Sequence, residues 1–183
     1  MLTYFFIVLA ALLAICLAFA VFIATRPAKF VISRSALLPA PPDKVFEIVN
    51  DFHEWNDWSP WAKLDPNSKT TFDGAPSGVG AKFAWDGNNK VGSGSMAIVE
   101  SRPNESIKID LTFTRPMQAT NVTLFTFKPE TNGTRVTWTM SGANGFMGKL
   151  FSVLIDCDKM VGGQFEDGFQ NMEAKLKTER VKL

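Results

Sequence analysis

Residues 39–61, with the sequence PAPPDKVFEIVNDFHEWNDWSPW, decide how the rest of this chain is organised. Prolines at the start of the stretch end any preceding strand, because proline cannot donate a hydrogen bond to a sheet ladder. Pro42 suits the first position of a helix, and Asp43 suits the positive end of its dipole. Apolar side chains then recur at helical spacing, namely Val45, Phe46, Ile48 and Val49. We predict a short amphipathic helix followed by an acidic, tryptophan-rich turn.

The chain on either side of this stretch reads as β-structure. A first strand is predicted at residues 30–38, ahead of the prolines. Apolar and polar residues alternate strictly over residues 107–114, which is typical of a strand with one buried and one solvated face. Turn residues such as Asn132-Gly133 separate the later strands, which indicates an antiparallel meander. The other predicted strands are residues 69–72, 81–85, 91–100, 118–128 and 134–141. Gly92 and Gly94 indicate a bulge or a close backbone approach in the strand predicted at residues 91–100.

The end of the chain is predicted to be helical. Apolar residues follow one another at spacings of four, three and four, namely Phe165, Phe169, Met172 and Leu176. Such a helix must cover its apolar face, and the sheet is the surface available for it. Residues 142–155 come before it and carry three glycines and then an apolar helical stripe. We leave two interpretations open: a mobile cover that lies against a membrane, or a core-packed first turn of the last helix.

Residues 1–25 contain no charged side chain, and about 20 apolar helical residues suffice to cross a bilayer. We predict a transmembrane helix here and a short linker at residues 26–29. A cleaved signal peptide is an alternative, since Ala18-Phe19-Ala20 resembles a cleavage site, but no basic residue precedes the apolar run. A lipoprotein site at Cys16 fits less well, because Ile15 is too large for the position before it. Basic residues follow the run, so the positive-inside rule predicts a single-pass membrane protein with its C-terminal domain in the cytoplasm.

Several short motifs together resemble one known superfamily. They are Ser33-Arg34-Ser35, residues 40–46, Trp55, Trp58-Ser59-Pro60-Trp61, Gly78-Val79-Gly80, Gly92-Ser93-Gly94 with Met96, Thr137-Trp138, and Gly163 with Phe165, Glu166 and Gly168. The chain resembles the START-like, or SRPBCC, superfamily, and within it the polyketide cyclase/dehydrase and lipid-transport family. The resemblance covers about residues 30–180, which we take as a START-like ligand-binding domain. It implies an α+β helix-grip fold, in which a curved antiparallel sheet wraps around a long C-terminal helix and leaves a cavity between the sheet and the helix.

The resemblance also implies a function, because family members bind lipids, sterols, polyketides or hormones and a few catalyse cyclisation or dehydration. We predict a membrane-anchored domain that holds a hydrophobic small molecule or lipid in an apolar cavity. One alternative is an enzyme of the polyketide cyclase/dehydrase type that uses the same cavity; another is a structural or interaction protein with a filled core. The predicted ligand-binding residues are Trp55, Phe83, Trp85, Met96, Ile109, Leu111, Phe113, Leu124, Trp138, Phe169 and Met172.

Other chemistry has little support in the sequence. The net charge of +1 gives no electrostatic reason to expect a nucleic-acid partner. His53 is the only histidine and lies among acidic residues, which favours a solvated helix end over an acid–base site. Cys157 lies between Asp156 and Asp158, and neighbouring carboxylates disfavour a thiolate nucleophile. We therefore predict no catalytic residue, metal site or cofactor. Trp58 and Trp61 are expected to wedge the short helices onto the sheet, whereas Trp55 fits either that wedge or a cavity mouth.

Overall fold

The computed structural model describes residues 1–181, and these form two compact units. The first unit contains Met1–Phe30 and Ala143–Asp156. It holds helix α1, Leu2–Ala24, and helix α5, Phe146–Leu154. The second unit contains Val31–Gly142 and the residues from Cys157 onward. The segment before the last helix thus lies in the same compact unit as α1.

The second unit is built on a curved antiparallel sheet. Its strands in chain order are β1 (Lys29–Leu38), β2 (Lys69–Gly74), β3 (Ala81–Asp86), β4 (Ser93–Arg102), β5 (Ser106–Arg115), β6 (Ala119–Glu130) and β7 (Gly133–Ala143). Strands β2 to β7 follow one another as a meander, and β1 lies beside β7 at the far edge. The predicted meander is therefore confirmed, and β1 is the strand that needs a long connection.

Short helices connect β1 to β2. They are α2 (Pro42–Asn50), a 3-10 turn (Phe52–Glu54), α3 (Trp55–Trp58) and α4 (Pro60–Leu64). Helix α2 begins at Pro42, as the sequence predicted. The indole Nε1 atoms of Trp55 and Trp58 donate to the backbone oxygens of Val49 and Ile48, at 2.9 and 3.0 Å. Both rings are buried, and these hydrogen bonds satisfy their polar groups. The prediction that Trp58 wedges the short helices onto the sheet is therefore confirmed, and Trp55 belongs to the same wedge.

The long helix α6, Cys157–Val181, packs on the inner face of the sheet and completes the helix-grip fold. Near its start, the Arg34 guanidinium of β1 donates to Asp158 at 2.8 Å and to Glu166 at 3.0 Å. Gly162 lies between these two acidic residues on the helix, and a Cβ atom there would overlap the guanidinium. The hydrogen bond from Arg34 lowers the pKa of Asp158. This attachment is therefore complete at neutral pH and is lost as the pH falls through that lowered pKa.

The packed end of the inner face lies under α6 and the short helices. Ile107, Phe125 and Trp138 are neighbours across β5, β6 and β7, and all three are buried. The Trp138 ring stacks on Phe165 of α6, with centroids 4.1 Å apart and planes 9° apart. Its centroid is also 5.7 Å from that of Trp58. These aromatic contacts fill the space between the sheet and the helices at this end.

Lys175 attaches α6 to α3 at the same end. Its Nζ lies 2.6 Å from an Asp57 oxygen and 2.8 Å from a Glu54 oxygen. Partial burial lowers the pKa of Lys175, but the hydrogen bonds and charges of Asp57 and Glu54 outweigh this effect and raise it overall. Replacing Lys175 with methionine is expected to lower the free energy of unfolding by about 1 kcal/mol, because the carboxylates stay accessible to water. Denaturant unfolding of the purified protein measures this loss.

Lys177 provides the matched control for this substitution on the same helix. It pairs at 2.6 Å with Glu173 one turn earlier and is well exposed, so Lys177→Met should cost at most about 0.5 kcal/mol. Since the folded pKa of Lys175 is raised, its contribution is complete below the ordinary lysine pKa and is lost only as the pH rises through the folded value. The difference between the two variants should therefore be the same at about pH 6 and about pH 9. Equal losses for the two variants would contradict the proposed attachment.

Candidate ligand-binding site

One row of side chains crosses the inner face of five neighbouring strands. Its members in order from β3 to β7 are Phe83, Met96, Leu111, Asn121 and Gly142. Directly opposed residues of antiparallel strands lie on the same face, so this row forms a continuous strip. Phe83 is buried against Phe52 of the 3-10 turn, which shows that the row faces the interior. The strip is apolar until it reaches the amide of Asn121.

A second row lies beside the first, toward the end of the sheet. It consists of Trp85, Gly94 and Phe113 on β3, β4 and β5. A Cβ atom at Gly94 would lie 2.6 Å from the Trp85 ring, so this position needs a glycine for the indole to lie flat on the strand. The strand pairing shifts register at Gly94, which confirms the predicted bulge. The Trp85 indole donates to the Val91 oxygen at 3.2 Å and meets Phe113 edge to face.

Three members of these rows, Trp85, Met96 and Phe113, define what we call the open end of the inner face. These three side chains are half-buried, whereas those of the packed end are buried. Arg115 braces the margin of the open end by donating to Asp86 at 2.5 Å, Gly87 at 2.8 Å and Ser93 at 3.0 Å. The open end is thus a braced apolar surface that still has access to solvent.

Asn121 and Thr123 place polar groups on the inner face of β6. Both residues are buried, but neither side chain is among the fully buried polar groups of the described residues that lack a hydrogen-bond partner. The Asn121 amide has two donor hydrogens and an acceptor oxygen. A matching ligand group could form a hydrogen bond with this amide, which contributes about 0.5–1.5 kcal/mol. The arrangement therefore suits a mainly apolar molecule that carries one polar group.

The predicted ligand-binding residues fall into separate groups. Trp85, Met96 and Phe113 lie at the open end, and Phe83 and Leu111 border it as buried members of the first row. Five others belong to the packed core, namely Trp55, Ile109, Trp138, Phe169 and Met172. Five of the predicted residues therefore lie at the open end or at its border. A ligand that enters the open end from solvent would contact these five first.

Leu124 was predicted to face inward, and this is wrong. Leu124 is 36% exposed and lies on the outer face of β6, while its neighbours Thr123 and Phe125 are buried on the inner face. Thr123 opposes the buried Ile109, so the strand register gives the inward position to a threonine and the outward one to a leucine. Sequence reasoning missed Asn121 and Thr123 for the same reason. Period-two alternation counted back from Phe125 would have found both.

The described residues form two surface depressions that are lined by residues outside the two inner-face rows, apart from the margin of the open end. One of about 280 Å³ is lined by Asn89, Gly92, Arg115 and Pro116 at the margin of the open end. Another of about 320 Å³ is lined largely by polar residues of α2 and the following turn. Neither is the apolar cavity that was predicted between the sheet and the last helix. On the inner face of the sheet, the accessible apolar surface is the open end.

His53 and the acidic residues do not form a site on the inner face. His53 is exposed; its Nδ1 lies 2.7 Å from Asp51, and its ring stacks on Phe72. Among residues 1–181, no group of three or more histidine, cysteine and acidic residues is arranged to hold a metal ion. The polar side chains that do face the open end, Asn121 and Thr123, do not titrate.

A curved antiparallel sheet that grips a long C-terminal helix, with an apolar inner face, defines the class as helix-grip proteins. The chain belongs to the polyketide cyclase / dehydrase and lipid transport family, whose family model matches residues 29–177. This family was expected from the motifs, and the expectation is confirmed. A comparison with curated proteins finds no match.

Solved structures with the same fold include proteins of distant sequence. An uncharacterised protein from Rhizobium leguminosarum is 15% identical with a TM-score of 0.61, over 84% of this chain and 97% of its own. A protein from Chromobacterium violaceum is 16% identical with a TM-score of 0.58, over 79% of this chain and 94% of its own. The di-domain ARO/CYC protein of the steffimycin biosynthetic pathway is 10% identical with a TM-score of 0.60, over 85% of this chain and 53% of its own. At these identities the likeness shows the fold alone.

Proposed function

We propose that this protein is a membrane-anchored domain that binds a hydrophobic small molecule or lipid at the open end of its inner face. The observation that carries the proposal is the position of three half-buried apolar side chains, Trp85, Met96 and Phe113, on the same inner face as the amide of Asn121. Residues 1–25 would be the anchor, residues 26–29 the linker and residues 30–180 the ligand-binding domain. Membership of a lipid-transport and cyclase family supports a ligand of this chemical class.

Binding fits the inner face better than catalysis does. General acid–base chemistry needs a group that can gain or lose a proton near neutral pH. The polar groups on the inner face of β6 are the Asn121 amide and the Thr123 hydroxyl, and Asp110 lies exposed on the outer face of β5. A cyclase-type reaction would therefore have to depend on positioning the substrate alone.

A structural or interaction protein with a filled core is the second candidate function. The stacking of Trp138 on Phe165 and the edge contact with Trp58 favour it, because they leave little room at the packed end. The two candidates differ at the open end, where ligand binding requires accessible apolar surface. The test is to titrate an apolar fluorescent probe into a truncated chain that begins at Ala28. Saturable binding would support the binding function, and its absence would favour a structural or interaction protein with a filled core.

Asn121 gives a test of ligand class. Asn121→Leu is expected to change the free energy of unfolding by at most about 1 kcal/mol, because a largely buried amide is replaced by an apolar group of similar size. The same variant should bind a wholly apolar probe at least as well as the parent. It should bind a fatty acid or fatty alcohol about tenfold more weakly, since the polar group loses its partner.

Denaturant unfolding measures the effect of Asn121→Leu on stability, and competition titrations measure its effect on the affinity for each probe. Leu124→Asn is the matched control, because it places the same amide on the outer face of the same strand. It should leave the binding of both probes unchanged. Equal affinity of the Asn121→Leu variant and the parent for the polar-headed lipid would show that Asn121 has no part in recognition.

The anchoring half of the proposal depends on α1. Leu2–Ala24 is long and apolar enough to cross a membrane, with a mean hydropathy of 3.2, and most of its surface is exposed. We expect it to stay attached and to place the rest of the chain in the cytoplasm, because the basic residues Arg26 and Lys29 follow it directly. A C-terminal reporter enzyme that works only in the cytoplasm should be active. A reporter active only on the other side of the membrane, or an N-terminus missing by mass spectrometry, would contradict this topology.

A further inference from the structure

Helix α5 exposes an apolar surface, although the helix is too short to cross a membrane. Within Phe146–Leu154 no residue is buried. Phe146 and Met147 are each 51% exposed, and Leu154 is 67% exposed. The interpretation of this segment as a core-packed first turn of the last helix is therefore wrong. Nine residues rise only about 14 Å along a helix axis, so α5 cannot cross a bilayer core of about 30 Å.

Two hydrogen bonds hold α5 and its approach at the C-terminal end of α1, within the same compact unit. The Lys149 Nζ of α5 donates to the Ala24 backbone oxygen at 2.8 Å. The Asn144 backbone nitrogen donates to the Ala28 oxygen at 2.7 Å. Ile23, in the last turn of α1, is buried, whereas the rest of that helix is largely exposed. The exposed apolar helix is thus fixed where the transmembrane helix ends.

The charges around this junction match a lipid headgroup layer. Arg26 lies over the Phe22 ring at 4.3 Å, and Lys29 follows it. Lys149 is the only charged residue of α5, whose sequence FMGKLFSVL contains no acidic residue. Basic side chains near a membrane surface are attracted to anionic headgroups, while neighbouring apolar side chains enter the acyl boundary.

We infer that α5 lies in the interface of the membrane leaflet at which α1 ends, with Phe146, Met147, Phe151 and Leu154 in contact with lipid. This inference rests on the proposed anchoring by α1. The occupant of the exposed face is a phospholipid surface, because the face lies at the end of a membrane-length helix and beside basic groups. It brings the chain back to the membrane a second time, just before α6 begins at Cys157.

The test places one fluorophore on α5 in the full chain. In a background with Cys16→Ser and Cys157→Ser, Leu154→Cys is labelled with a polarity-sensitive dye and reconstituted into phosphatidylcholine vesicles with a minority of phosphatidylglycerol. Lys177→Cys, exposed on α6, is the matched control. We expect a nitroxide attached high on the lipid acyl chain to quench the dye at position 154 severalfold more than the dye at 177. Aqueous iodide should show the opposite order.

The controls separate failure of the inference from failure of the anchor. Vesicle flotation reports anchoring by α1, and a chain that does not float overturns both proposals. A chain that floats but shows equal lipid quenching at the two positions overturns the inference for α5 alone. Energy transfer between donor- and acceptor-labelled copies at position 154, without lipid quenching, would assign the face to a second copy of the chain and also overturn it.

Discussion

Replacing Trp58 with alanine is expected to lower the free energy of unfolding by about 3–5 kcal/mol, the loss typical of a buried large aromatic side chain. Trp58 is fully buried, and its ring meets those of Trp55 and Trp138 with centroids 4.6 and 5.7 Å apart. Its Nε1 also satisfies the Ile48 oxygen, which would lose its partner. The substitution removes the central member of the aromatic packing between the sheet and the short helices.

Trp85→Ala is the matched control, because it removes the same side chain from the open end. Trp85 is only half-buried, so less apolar surface leaves contact with the protein, and we expect a loss of about 1–2 kcal/mol. Denaturant unfolding of both variants measures the difference. Similar losses would show that the inner face is packed equally at both ends, which the account of an open end does not allow.

Met96→Glu is expected to abolish binding of an apolar ligand, with affinity reduced at least about a hundredfold. Met96 lies in the first row between Phe83 and Leu111, so a carboxylate there faces any molecule bound at the open end. An unpaired charge against an apolar ligand is strongly unfavourable. Because Met96 is half-buried, the carboxylate can still reach solvent in the free protein, and the domain should remain folded.

Val99→Glu is the control for this prediction. Val99 lies on the same strand but is exposed on the outer face, so the new charge does not meet the ligand. Probe titration should give parental affinity for Val99→Glu and no saturable binding for Met96→Glu, while circular dichroism shows both variants folded. Parental affinity of the Met96→Glu variant would place the ligand elsewhere.

Local patterns in the sequence were sufficient to predict most of the fold. The strict alternation of β5 identified Ile107, Ile109 and Leu111 as inward residues, and all three are buried. Proline and acidic residues marked the start of α2 at Pro42. These features depend on neighbouring residues and on the period of a helix or strand, which a single sequence contains.

The site was harder to predict because it depends on which end of the sheet the helices cover. Met96 and Ile109 follow the same apolar pattern, yet one is half-buried at the open end and the other lies in the core. Hydrophobicity alone also placed Leu124 inward in preference to Thr123, although the register of β6 does the reverse. The position of α5 beside the end of α1 depends on the hydrogen bond from Lys149 to Ala24, which joins residues that lie far apart in the sequence.

Photolabelling tests the central claim most directly, because it reports where an apolar ligand lies. The truncated chain that begins at Ala28 is irradiated with a fatty acid that carries a diazirine on its acyl chain, and the labelled peptides are sequenced by mass spectrometry. We expect saturable labels on Trp85, Met96 and Phe113, which unlabelled fatty acid reduces and which the Met96→Glu variant lacks. Labels confined to outer-face residues such as Val99 and Leu124, or labels that unlabelled fatty acid does not reduce, would contradict it.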